Sequence, residues 1–200
     1  AAGTYSFPNG NSYRIQSPLS PDYGTFGPAR AGSIKPDSTN ANFYVSVDIT
    51  NWDDSLHQIV GLIARADTVG LGTTKGYIFT HDRGNPMSST AGDMDMIIVD
   101  GEAPIGEVAT TGADSIHMVP GKSYRFVFIG VGTRLTGLVY ELPDACHPVV
   151  VMSGTDSTYS YGTAGVLTFD QSGGLQVTDC TFDNFISQTN AGSYPTVRTV

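Results

Sequence analysis

Lysine and glutamate are scarce. The 200-residue sequence has three of each: Lys35, Lys75 and Lys122, and Glu102, Glu107 and Glu141. Both are good helix formers, so their scarcity argues against a helical domain. No apolar run approaches the roughly 18 residues that a membrane-spanning helix needs. Ten cationic residues stand against nineteen acids. The formal charge of −9 disfavours nucleic acid and anionic membrane surfaces as partners. No H-x-H or H-E-x-x-H spacing links His57, His81, His117 and His147, so zinc and copper lack a motif. No G-x-S-x-G elbow and no Gly-rich phosphate loop is present.

Cysteine is nearly absent too. Cys146 and Cys180 read either as one disulfide in an oxidising compartment or as two separate buried thiols. Within DACHP, Cys146 and His147 are adjacent and face opposite ways on an extended chain, so they do not share a metal. No leader opens the sequence, and AAG at its start reads as a trimmed mature end of a secreted chain.

What is present is turn chemistry and β-branched residues. NFYVSVDITNW (42–52) alternates: Phe43, Val45, Val47 and Ile49 share one face, and Tyr44, Ser46, Asp48 and Thr50 share the other. HQIVGLIARAD (57–67) is more continuously apolar and reads as a central strand. Further strands are expected at 12–17, 76–82, 93–100, 122–132, 134–144, 147–156, 162–170 and 179–185. Gly, Asp or Pro marks the breaks. Short strands at this spacing predict an antiparallel sandwich or barrel in one domain, residues 1–185, with 186–200 as a tail or linker.

The run FYVSVDITNWDDSLHQIVGLIARAD, then GYIFT, GKSYRFVFIGVGTRLTGLVYEL, SGTDSTYSYGTAGVLTFD and TFDNF resembles bacterial secreted domains of the concanavalin A-like lectin/glucanase superfamily, LamG-like jelly rolls. The resemblance spans roughly residues 5–185 and implies an all-β, two-sheet antiparallel sandwich. It also implies a structural calcium, with Asp183 in TFDNF as the matching carboxylate and Gly32 as a carbonyl donor. It implies glycan binding, polysaccharide hydrolysis or lysis, or a structural role.

The residues themselves offer several candidate sites. Asp93 and Asp95 in DMDMIIVDGE share a strand face about 6.5–7 Å apart, a spacing compatible with two-carboxylate glycoside chemistry. The glucanase pattern E-x-D-x-x-E or E-x-D-x-E has a third acid that this strand lacks, so Asp93 and Asp95 are weak catalytic candidates. Trp52 reads either as a sugar-stacking platform or as the cover of a core edge. Tyr77, His81 and Arg83 could supply a lyase's base and its uronate-neutralising cation, or sit at a solvated loop tip. Tyr159 and Tyr161 in DSTYSYG suit sugar contact or a sandwich rim. The expectation is a secreted or cell-surface module binding a carbohydrate or matrix component without catalysis. A polysaccharide hydrolase or lyase, with its chemistry on the concave face, is the first alternative. The second is a sheath or filament subunit that self-assembles by strand addition through its two ends.

Overall fold

The computed structural model describes residues 3–84, 92–113 and 115–190. In chain order its elements are β1 (Thr4–Ser6), β2 (Tyr13–Ser17), α1 (Tyr23–Phe26), β3 (Arg30–Asn40), β4 (Phe43–Trp52), β5 (Gln58–Asp67), β6 (Lys75–Asp82), β7 (Asp93–Asp100), β8 (Ala103–Thr110), β9 (Ser123–Val131), β10 (Arg134–Leu142), β11 (Val150–Thr155), β12 (Gly162–Asp170) and β13 (Thr178–Thr189). They form a seven-stranded antiparallel sheet, β1-β2-β13-β4-β9-β10-β11, and a six-stranded one, β3-β12-β5-β6-β7-β8. This is the jelly-roll sandwich that the resemblance implied, and one of the two architectures, sandwich or barrel, that the strand spacing allowed.

Alternation decides what enters the core. Phe43, Val45, Val47 and Ile49 of β4 meet Phe126 and Phe128 of β9, and all are buried. From the other sheet come Val60 and Leu62 of β5, Tyr77 and Phe79 of β6, and Met94 and Met96 of β7. β5 is buried on both faces, because Ile63 joins Ile78, Val99, Ile97, Leu167 and Phe169 in a second cluster on the outer face of the six-stranded sheet. Close packing also sets a side-chain size. A Cβ on Gly137 would lie 2.4 Å from the ring of Phe79, so only glycine lets that ring seat between the sheets.

On the outer face of the seven-stranded sheet, Asp48 is only 3% exposed. Its two oxygens accept from Arg125 Nε and Nη2 at 2.7 and 2.8 Å, and Asn184 Nδ2 donates at 2.8 Å. These contacts stand in for lost hydration. They tie β4 to both of its neighbours, β9 and β13.

β1, β3 and β8 fall where no strand is expected. All three are edge strands. With no face fully buried, they carry no apolar alternation to read. At the far end, β13 runs to Thr189 and pairs with β4 through Thr189↔Phe43, so the sandwich extends past residue 185 and residues 186–189 are not tail. The N-terminal stretch is likewise engaged: Thr4–Ser6 pairs with β2. Residues 191–200, the rest of the expected tail, lie outside the described residues.

The disulfide expectation is corrected. Both cysteines are free thiols: Cys180 is buried on β13, and Cys146 is exposed in the β10–β11 loop. β13, which carries Cys180, and β10, which leads into the loop of Cys146, are three places apart in the sheet, about 14 Å at normal strand spacing.

Candidate functional site

The structure disperses the residues that the sequence offered as a lyase-like cluster. Tyr77, Phe79 and His81 alternate along β6 and all point between the sheets. Tyr77 is 0% exposed; its hydroxyl donates to Asp156 at 2.6 Å and accepts from the Tyr159 N–H at 2.9 Å. Burial, reinforced by Asp156, pushes its pKa up to about 12. His81 is 2% exposed, and desolvation lowers its pKa to about 4, so it stays neutral at neutral pH. Arg83 is bound fork-to-fork to Asp54, Nε–Oδ1 at 2.7 Å and Nη2–Oδ2 at 3.1 Å. Neither a solvated loop tip nor a reacting base describes these side chains.

Trp52 is buried in the core edge-on to Tyr124, with its indole N–H donating to Asp54 at 3.3 Å, so no ring face is left for a sugar. Tyr159 packs edge-on against Tyr77 and donates to the Val99 carbonyl at 2.8 Å. Tyr161 is the exposed member of the DSTYSYG pair, at 63%.

Asp93 and Asp95 occupy the outer face of the six-stranded sheet, opposite the core-facing Met94 and Met96. Register places Asp82 beside Asp93 and Thr80 and Thr110 beside Asp95. Burial lifts the Asp95 carboxyl above its usual range; the charges of Asp82 and Glu107 add to this, and a hydrogen bond from Thr110 opposes it. The neighbouring strands thus bring further acids to a strand that has only two on this face.

An open recess lies at one lateral edge of the sandwich. β3 packs against β2 and β13 there. Tyr5 pairs with Ile15, a core residue, yet is 69% exposed. Phe7 is 59% exposed. Tyr5, Phe7 and Tyr13 form a closed aromatic triad with ring centroids 5.5–6.0 Å apart. Tyr13 also lines an open cleft of about 380 Å³ between β3 and β13, together with Asn11, Lys35, Phe182, Asp183 and Asn184. A bulge builds the β13 wall: register shifts between Asp183 and Ile186, and Asn184 takes the left-handed region at φ 52°. An apolar ring platform beside amide, carboxylate and ammonium groups can take a sugar's face and its hydroxyls together.

This cleft also holds Asp183, the carboxylate implied for calcium. Gly32 is exposed on β3 one residue before the lining residue Ser33 and is paired with Leu167. One Asp183 oxygen already accepts the Asn184 N–H at 2.7 Å, and Lys35, whose ammonium donates to Asp37 at 2.7 Å, is another lining residue of the cleft. Calcium takes six to eight oxygens. Among the described residues no three of His, Cys, Asp and Glu gather to supply them. Asp183, with one oxygen already engaged, is the single carboxylate among the residues that line this cleft.

Tyr5 and Phe7 sit two apart in the sequence with Tyr13 close behind, but β1 has no alternation that would mark them as a surface. Asn11, Lys35 and Asn184 carried no signal, since only the bulge and the sheet edge bring them together.

No family model matches the chain, and no curated protein matches its sequence. Solved structures do match. The carbohydrate-binding module CBM66 from Bacillus subtilis is 17% identical with a TM-score of 0.58, over 94% of this chain and 92% of that one. The exoplasmic/lumenal domain of VIP36 in its Ca2+-bound form is 11% identical at 0.61, over 96% and 83%. The alginate lyase from Klebsiella pneumoniae is 10% identical at 0.58, over 94% and 84%. No helix among the described residues is long and apolar enough to cross a membrane. At these identities the likeness is one of fold: the chain has the concanavalin A-like jelly-roll fold.

Proposed function

We propose that this protein is an extracellular glycan-binding module that holds a sugar in the edge cleft between β3 and β13. The observation that carries the reading is the cleft lined by Tyr13, Asn11, Lys35, Asp183 and Asn184, whose half-buried Tyr13 ring is flanked by the exposed rings of Tyr5 and Phe7. Rings of this kind cover the apolar face of a pyranose, and the polar groups take its hydroxyls. Similar structures include a carbohydrate-binding module and a domain solved with Ca2+ and Man bound, which supports a sugar as the ligand. No step of this binding runs through a metal. A glycan array run with and without chelator tests the reading: retained binding that disappears in Tyr5→Ala and Phe7→Ala variants supports it, and unchanged binding by those variants overturns it.

A second reading rests on the outer face of the six-stranded sheet. Asp95, raised beside Asp82, Asp93 and Glu107, has the acid-next-to-acid environment of a polysaccharide-cleaving enzyme. A reducing-sugar assay on every glycan that binds separates the two. Release abolished by Asp95→Asn establishes the enzyme; binding without release leaves the cleft module.

A further inference from the structure

The sandwich has four sheet edges: β1 and β11 in one sheet, β3 and β8 in the other. An edge strand presents unpaired amides and carbonyls, and folded proteins blunt such edges with shortness, charge, proline or bulges. β1 is three residues long. β3 carries Lys35, Pro36 and Asp37 and a register shift against β12. β8 carries Pro104 and Glu107 and two register shifts against β7. β11 has none of these protections. Its sequence VVMSGT lacks charge and proline, its register with β10 is unbroken, and among the described residues it pairs with β10 alone. Val149, just before it, and Val151, within it, are each 55% exposed.

We infer that β11 is a self-pairing edge, and that a second copy of this chain adds its own β11 antiparallel to it. A net charge of −9 repels another copy over most of the surface, but this strand carries no charge to repel. The strand is also complementary to itself. A two-fold axis through Val151, perpendicular to the sheet, sets Val151 against its counterpart and Val149 against Ser153 on the matching outer faces. Two seven-stranded sheets then become one continuous sheet. A single strand pair is a small interface, below about 1,200 Å², so the dimer forms reversibly as concentration rises. The edge clefts lie at the opposite margin of each seven-stranded sheet, so both stay open and the dimer presents two of them.

Sedimentation equilibrium tests the inference, with circular dichroism confirming that each variant is folded. The wild-type mass is expected to climb from one chain toward two as loading concentration rises. Val151→Lys and Val151→Glu, at an exposed position, should each stay monomeric, and an equal mixture of the two should regain the dimer. Ile105→Lys on β8 should behave as wild type. A wild type that is monomeric throughout, a Val151→Lys protein that dimerises normally, or a mixture that fails to associate would each overturn it, as would dissociation by Ile105→Lys.

Discussion

Acidification tests whether His81 is a core residue. In the unfolded chain its imidazole titrates near its ordinary value of 6.5, and in the fold near about 4. Burial is the main cause; the positive charges of Arg83 and His117 add to it, while the Ile116 carbonyl and Asp54 oppose it. A lowered folded pKa means that the unfolded state takes up the proton first. The stability contribution is therefore complete above pH 6.5 and drains away as pH falls from there through about 4. A gap of roughly 2.5 units at 1.36 kcal/mol each is about 3 kcal/mol. For a chain of 200 residues that corresponds to a fall in Tm of about 6–12 °C. Urea unfolding at half-unit steps from pH 7 to 4, on wild type and His81→Leu, isolates this from carboxylate titration common to both. The wild type should lose about 3 kcal/mol more than the variant across that window. Parallel curves would refute the placement of a neutral imidazole between the sheets.

Other substitutions probe the packing and the thiols. Gly137→Ala should force the fully buried Phe79 ring from its seat and cost about 1–3 kcal/mol in denaturant unfolding. Arg125→Met should leave the buried Asp48 carboxylate without its guanidinium, with the Asn184 amide still donating to it, and cost about 3 kcal/mol or more, a loss that Asp48→Asn in the same background should partly restore. A thiol reagent should titrate one cysteine in the native protein, the exposed Cys146, and two in denaturant; none in either state without reductant would mean a disulfide.

The architecture was legible wherever a strand buries one face. The alternation of β4 and β7 is seen directly in Phe43, Val45 and Val47 and in Met94 and Met96, all buried. Edges were not legible, because β1, β3 and β8 bury neither face fully. β11 is the one edge strand the sequence revealed, and it shows there for the reason that makes it sticky: it is apolar and uncharged. Candidate chemistry was read worst. Tyr77, His81 and Arg83 looked like a reactive loop because polar residues at a strand end signal solvent. In the fold, Asp156, the Ile116 carbonyl and Asp54 hold them inside.

The most direct measurement of the cleft reading is calorimetric titration of an array-selected oligosaccharide into wild type, Tyr5→Ala, Phe7→Ala and Tyr161→Ala. Tyr5 and Phe7 are exposed, so their loss should leave the fold intact. Each should weaken binding by about 1–3 kcal/mol, roughly 5- to 150-fold in Kd, while Tyr161→Ala leaves it unchanged. Full affinity in both Tyr5→Ala and Phe7→Ala, or a loss confined to Tyr161→Ala, would contradict a glycan site at the open edge of the sandwich.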